Sequence, residues 1–301
     1  MNLILFSEIV GRAIIITKLI IITPVKNEST RLQSFADHMS KVRANFPIVW
    51  ILVDDASSDS TTEVIKALRK FKPDFLLHAK TSGRLIQGGA YQAWGVGVKF
   101  ALDNIEDFTH LMKLDIDVEL ETDYFNKLEA FMNSQMIGIL GGVLKNSNRE
   151  QTIHVPGPIK IYSKSCLLGL LELPLATGFD VMDEILAQKN GYTVQVVRNA
   201  WFKLNRPIGA SQGLIHGRRR NGLVCRWTGY YFPYFILHAL RYIFRKPFFL
   251  GTIAMLIGYF FSPPSPYALE LKILHARQQK VLLLRIARKP YTVLHELYAR
   301  R

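Results

Sequence analysis

Apolar runs alternate, along the first two thirds of the chain, with segments whose apolar positions recur every three or four residues. Leu19 to Thr23 is a β-branched run long enough for a buried strand, and Pro24 is expected to end it. Arg31 to Asn45, with Leu32, Phe35, Met39 and Val42 at helical spacing, predicts an amphipathic helix. Ile48 to Val53 is a second strand, and Ser60 with Glu63 has capping-box spacing, which starts a helix reaching about Phe71. Phe75 to His78 predicts a weak third strand, and the Gly-rich stretch Gly83 to Ala90 opens a helix that runs through Phe100. Thr109 to Leu114, Thr122 to Met132 and Met136 to Leu144 follow as strand, helix and strand. Thr177 to Leu186 leads a helix that closes at Asn190-Gly191, and Tyr192 to Val197 is a further strand. Strands and helices in this order, with short connections, predict a parallel, doubly wound α/β sheet.

The pattern changes after residue 200. Tyr230 to Phe244 and Phe248 to Phe261 are apolar, but the second is 14 residues long, below the roughly 18 to 20 needed to span a bilayer. Two readings are open: helices lying in the lipid headgroup layer, or a buried helical hairpin. Pro263-Pro264-Ser265-Pro266 then breaks the chain, and Tyr267 to Arg301 predicts a basic helical tail with Leu269, Ile273, Leu282, Leu283 and Ile286 on one side. Charge follows the same division. The formal net charge is +14, yet residues 1 to 199 hold 21 Lys and Arg against 22 Asp and Glu, whereas residues 200 to 301 hold 17 against 2. Such a segment could face nucleic acid or an anionic membrane, and its aromatic and aliphatic runs favour the membrane.

A length of 301 residues suits one large domain or a domain with an appendage. Two cysteines, Cys166 and Cys225, are too few for a disulfide framework or a zinc cluster. The first residues carry no basic region ahead of their apolar run, so no secretory signal is expected, and Ala13 to Thr23 reads as the first strand.

The chemistry concentrates in Leu111-Met112-Lys113-Leu114-Asp115-Ile116-Asp117. At the carboxyl edge of an open α/β sheet, where ligands bind, two carboxylates one residue apart would share a face if the chain stays extended. Two hard oxygen ligands suit Mg²⁺ or Mn²⁺ completed by substrate phosphates. The bland alternative is an acidic strand-to-helix turn with a capping role. Similarly, the three carboxylates Asp180, Asp183 and Glu184 could simply complement a helix dipole.

Four stretches taken together resemble the successive motifs of family 2 glycosyltransferases with a GT-A fold. They are Thr23-Pro24-Val25-Lys26-Asn27-Glu28, Val53-Asp54-Asp55-Ala56-Ser57-Ser58-Asp59-Ser60-Thr61, Asp115-Ile116-Asp117 (a DXD motif) and Gly178-Phe179-Asp180. The resemblance covers about residues 18 to 200 and extends less specifically to Gly229-Tyr230-Tyr231 and Gly258-Tyr259, similar to the membrane-proximal tails of many members. It implies that Pro24, Asn27 and Glu28 line a nucleotide pocket, with Arg84 among the binding residues, and that Asp54 or Asp55 accepts from the base N–H. It places Asp115 near the ribose or metal and makes Asp117 a ligand of the metal that bridges the diphosphate. The family's catalytic carboxylate usually lies in a Glu-Asp pair eleven residues before a Gly such as Gly191, which selects Asp180, although Phe179 stands where Glu is common. Asp183 and Glu184 are rivals one turn on. The Gln-x-x-Arg-Trp motif of many members is absent, with Arg206 and Arg226-Trp227 only loose analogues, so a processive polysaccharide synthase is not expected.

The expectation is therefore a GT-A domain over residues 1–205 and a basic, apolar helical region over 206–301. The expected activity is metal-dependent, inverting transfer of a sugar from a nucleotide-diphosphate sugar to a lipid-linked or saccharide acceptor. The expected place is the cytoplasmic face of a membrane, peripheral or monotopic, on an anionic surface and without nucleic acid. Two other readings are a nucleotidyltransferase of related fold, disfavoured because the loop after the first strand has no Gly, and a non-catalytic basic membrane-surface or nucleic-acid binding protein. The latter leaves the carboxylates at strand and helix ends without a purpose.

Overall fold

The computed structural model describes residues 17–68, 72–81, 88–145, 150–151, 154–205, 213–244, 247–292 and 298–299. The chain begins β1 (Leu19–Val25), α1 (Ser29–Met39), β2 (Ile48–Asp55), α2 (Thr61–Ala67), β3 (Phe75–Ala79), α3 (Gly89–Asn104) and β4 (His110–Lys113). After these come β5 (Val118–Leu120), α4 (Tyr124–Met132), β6 (Ile137–Leu144), β7 (Glu150–Gln151), β8 (Ile161–Ser163), α5 (Lys164–Leu168), α6 (Phe179–Lys189) and β9 (Thr193–Leu204). Four helices follow, α7 (Leu214–Trp227), α8 (Phe232–Leu240), α9 (Leu250–Phe260) and α10 (Leu269–Arg288), and then β10 (Tyr298–Ala299).

One eight-stranded sheet, in the order β3-β2-β1-β4-β8-β6-β9-β5, carries the fold. Its first half is parallel, as the alternation of elements predicts, with Leu19 opposite Ile48 and His110. The second half is mixed, because β8 runs antiparallel to both β4 and β6. β5 and β8 are three residues each, too short to leave a period in the sequence. In the parallel half the registers Val25–Asp54 and Ile22–Lys113 bring the carboxyl ends of β1, β2 and β4 to one edge.

Pro24 lies inside β1 instead of ending it. The Ile22 carbonyl faces β4, where it accepts from Leu114 N–H at 3.1 Å. Two residues on, the Pro24 nitrogen faces the same side, where pairing with β4 has already stopped at Ile22, so no ladder bond is lost. α2 starts where expected, but Ser60 makes no side-chain cap bond. Asp59 does that work, its Oδ1 accepting from the Thr61 N–H at 3.1 Å and the Thr61 hydroxyl at 2.5 Å. α2 ends at Ala67, ahead of the expected Phe71, and α1 ends at Met39, ahead of Asn45, where the chain turns to give the Arg43 N–H to Thr122 O at 2.7 Å.

The main core fills both faces of the sheet and takes in Leu223, Trp227, Tyr267 and Leu271 from the C-terminal helices. A smaller cluster of Cys225, Phe235, Ala239, Met255 and Tyr259 lies among α7, α8 and α9, with the Phe235 and Tyr259 rings stacked at 4.0 Å. α7 and α9 approach so closely that a Cβ at Gly222 would lie 1.9 Å from Met255 O and one at Gly258 1.8 Å from Arg219 O. On the outer side, Leu240, Phe244, Phe249, Phe260 and Phe261 are exposed, Phe244 by 83% and Phe261 by 77%. Among the described residues no helix is long and apolar enough to cross a membrane.

The glycine contact yields a test. Gly258→Ala should push α9 off α7 and lower stability by about 1–3 kcal/mol, the usual cost of overpacking, read as a lower urea midpoint.

Candidate active site

The loops that leave β1 and β2 at the common edge are sewn to each other. Asn27 and Ala56 take φ values of 55° and 50°, the left-handed region that side chains disfavour, and cross-loop bonds hold them there. Asn27 N–H donates to Ser57 Oγ at 2.9 Å, and Asn27 Oδ1 accepts from Ser58 N–H at 2.8 Å. Glu28 N–H donates to Thr61 Oγ1 at 2.9 Å, and Ser29 N–H to Asp59 Oδ2 at 3.2 Å. The Thr61 hydroxyl is the main influence holding the Asp59 carboxyl down at about 2. Glu28 is itself buried and accepts from Arg31 Nη1 at 2.7 Å.

Asp54 and Asp55 end β2 and are almost fully buried. Asp54 Oδ1 accepts from the Ser57 N–H at 3.1 Å and the Ser57 hydroxyl at 2.5 Å, and Oδ2 accepts from Thr62 Oγ1 at 2.8 Å. Asp55 Oδ1 accepts from Thr81 N–H at 2.7 Å, while Oδ2 faces Thr81 Oγ1 at 2.7 Å and Lys26 Nζ at 3.4 Å. A carboxylate offers about four acceptor positions. Among the described residues each of these two accepts three such bonds, and His78 Nδ1 lies 3.7 Å from Asp54 Oδ2.

Asp115 and Asp117 do not share a face by strand alternation, because β4 stops at Lys113 and Asp115 opens a turn that closes when Val118 N–H donates to Asp115 O at 3.2 Å. Asp117 is buried, its carbonyl accepting from Asn205 N–H at 2.9 Å, whereas the Asp115 side chain is 28% exposed. The buried Lys113 ammonium bonds Asp115 Oδ1 and lies 5.1 Å from the centre of the Tyr91 ring. Among the described residues no group of three or more His, Cys, Asp and Glu could hold a metal alone. The donor set fits Mg²⁺ or Mn²⁺ only as a partial site. The second Asp115 oxygen and Asp117 would hold the ion, and substrate oxygens would complete it.

At the other end of the edge, Lys160 organises the start of α6. Its ammonium donates to Asp180 O at 2.5 Å, to Asp183 Oδ1 and Oδ2 at 2.8 and 2.9 Å, and pairs with Glu184 Oε1 at 2.9 Å. Tyr162 Oη donates to Asp183 Oδ2 at 2.7 Å, and His154 Nδ1 lies 3.0 Å from Glu184 Oε2. Burial opposes the charge on Lys160, but the facing carboxylates more than offset it and keep the ammonium charged. Burial raises Asp183 to about 6 against the pull of Lys160, while Lys160 and His154 overcome burial at Glu184 and hold that carboxyl below its ordinary value. Glu184 in turn raises His154 against its own burial.

The segment from Gly157 to Lys160 ties the two ends together. Pro158 O accepts from Asp115 N–H at 3.0 Å and Lys160 O from Lys113 N–H at 2.8 Å. A Cβ at Gly157 would lie 2.9 Å from Tyr91 Oη and 3.1 Å from Asp180 Oδ2. The Tyr91 phenol is raised well above its ordinary range, first by burial and then by the charges of Asp180, Asp183 and Asp115. The fold thus gathers Pro24, Asn27, Glu28, Asp54 and Asp55 in one loop pair, and Asp115 and Asp180 about the short helical turn at Gly157–Ile159. Asp183 and Glu184 turn away into buried pairing, so Asp180 is the only half-exposed member of the three. Arg84 and Arg206 lie outside the described residues. Sequence reasoning missed Tyr91, Gly157 and Lys160; the one available signal was lone lysines, Lys113 and Lys160, within apolar runs.

No protein-family model matches the chain, and no curated protein sequence matches it. Solved structures do. The mannosyltransferase PcManGT from Pyrobaculum calidifontis, in complex with GDP-Man and Mn²⁺, superposes with a TM-score of 0.53 at 14% identity, covering 93% of this chain and 84% of that one. TarS 1-349 from S. aureus in complex with UDP-GlcNAc gives 0.49 at 15% identity, covering 89% and 76%. The first of these likenesses shows the fold, a GT-A glycosyltransferase fold built on the curled eight-stranded sheet.

The crowding at Gly157 can be measured. Gly157→Ala should cost about 1–3 kcal/mol in urea unfolding, and adding Tyr91→Phe should recover part of it, a coupling a double-mutant cycle reads.

Proposed function

We propose that this chain is an inverting, family 2 glycosyltransferase that moves a sugar from a nucleotide-diphosphate sugar to a lipid-linked or saccharide acceptor at a membrane. The observation that carries the reading is the meeting of two acidic loops, the Asp115–Asp117 turn and Asp180 along one sheet edge of a GT-A fold. The neighbour solved with GDP-Man and Mn²⁺ supports a nucleotide-sugar donor and a divalent ion.

In this reading residues 1–205 bind donor and perform transfer, and residues 206–301 form the acceptor side. Pro24, Asn27 and Glu28 wall the nucleotide, and Asp54 or Asp55 accepts from its imide N–H. Asp115 faces the ribose or, with Asp117, holds Mg²⁺ or Mn²⁺, which when bound would offset charge on the departing diphosphate. Asp180 takes the proton from the acceptor hydroxyl as that oxygen bonds to the anomeric carbon and the bond to the diphosphate breaks. One base suffices for a single displacement. Asp180 is preferred over Asp183 and Glu184 because their oxygens are committed to Lys160, Tyr162, His154 and backbone N–H groups.

The exposed aromatic faces of α8 and α9, together with the 17 Lys and Arg of residues 200–301, support a peripheral or monotopic place on an anionic membrane. Each basic side chain near such a leaflet contributes about 1 kcal/mol. Nucleotide sugars point to its cytoplasmic face and a lipid-linked acceptor there.

Release of nucleoside diphosphate from a panel beginning with GDP-Man and UDP-GlcNAc, with Mn²⁺ and polyprenyl phosphate in vesicles, tests the reading. Asp180→Asn should keep donor affinity and lose transfer by roughly 10²-fold or more; transfer that survives in it while Asp183→Asn abolishes it moves the base one turn on. In flotation, the full chain should bind liposomes containing anionic lipid and bind less as salt rises. A chain that ignores such liposomes at low salt refutes the membrane placement.

A further inference from the structure

We propose that Lys160 is a positioning residue that sets the place of Asp180 relative to the Asp115–Asp117 turn, an inference that rests on Asp180 being the base. A lysine ammonium has three N–H donors and no acceptor. Here they meet the Asp180 carbonyl, the Asp183 carboxylate and the Glu184 carboxylate, at positions i, i+3 and i+4 of one helical turn. Those positions lie on one face of a helix, so a single cation fixes both the rotation and the height of the turn that carries Asp180. Lys160 is fully buried, and water cannot substitute for any of these partners.

The same residue is anchored on its other side through its backbone. Its carbonyl accepts from Lys113 N–H, two residues before Asp115, and Pro158 O accepts from Asp115 N–H. One residue therefore spans from the strand that delivers the diphosphate-side carboxylates to the helix that delivers the base. A displacement of about 1 Å between reacting groups can cost on the order of 10²-fold in rate, so the ammonium acts on turnover, while donor binding by the β1 and β2 loops and the Asp115–Asp117 turn, which Lys160 meets only through its backbone, is untouched.

Removing the ammonium alone would strand two buried carboxylates. The test variant is Lys160→Met with Asp183→Asn and Glu184→Gln, which removes the charges together and keeps the volumes. Near-UV circular dichroism reports folding, calorimetric titration with GDP-Man or UDP-GlcNAc and Mn²⁺ reports donor affinity, and nucleoside diphosphate release reports turnover. The expected result is donor affinity within about twofold of the parent and kcat lower by roughly 10²-fold. Placed in an Asp180→Asn background, the triple change should add almost nothing, because it acts through the group already disabled. Parent-like kcat in the triple variant, an equal loss in donor affinity, or a full further loss in the Asp180→Asn background overturns the proposal. Should the triple variant not fold, Asp183→Asn alone, which loosens one anchor, must lower kcat at unchanged donor affinity for the proposal to stand. An Asp180→Asn chain with parent-like transfer would instead refute the base assignment on which it rests.

Discussion

A charge withdrawn from water is tolerated only when every donor and acceptor around it is matched, and that demand governs this molecule at its centre. Lys160 has no exposure, and its partners Asp183 and Glu184 are also buried. None of the three could be placed a fraction of an ångström elsewhere without leaving an unmatched charge. The result is a rigid joint between the mixed half of the sheet and α6. The strands around it can be short because the joint, more than ladder length, holds them.

How much of this was legible from the sequence depended on the range of the interaction that fixes each part. The β1–α1–β2–α2 alternation and the acidic loops are written locally, in runs of β-branched residues and in Ser57, Asp59 and Thr61, so their positions could be read directly. Asp180 is singled out in the sequence by the family resemblance, through its place eleven residues before Gly191. The sequence leaves Asp115 to Val118 open between an extended chain and a turn, because what decides it, the Pro158 carbonyl that accepts from Asp115 N–H, lies far away in sequence. Likewise Asp183 and Glu184 are indistinguishable from Asp180 in one dimension. Lys160, Tyr162 and His154, some twenty to thirty residues earlier, separate the half-exposed carboxylate from the committed ones.

The C-terminal helices obey a different constraint. α7 and α9 meet backbone to backbone through Gly222 and Gly258, where dispersion between close surfaces replaces the interlocking of large side chains. Phe235 of α8 and Tyr259 of α9 pack inward beside that contact, while Phe244, Phe249 and Phe261, which flank the two helices, are exposed. The close glycine contact and the exposed aromatic face thus belong to the same group of helices. Arg218 shares in it, its guanidinium lying 3.9 Å from the centre of the Tyr242 ring.

Tyr267 joins these two regimes. It is buried between the proline-rich break and α10, and its hydroxyl donates toward Ala176 O at 2.9 Å and Thr177 O at 3.2 Å, in the turn just before α6. The segment that links α9 to α10 is therefore fastened to the turn that leads into Asp180. Whatever plane the outer face rests against becomes a datum, and Asp180 stands at a set elevation above it. Under the proposed reading, with that plane a membrane and Asp180 the base, a substrate is selected by reach: a reactive hydroxyl must present itself at that elevation, whatever the rest of the molecule that carries it looks like.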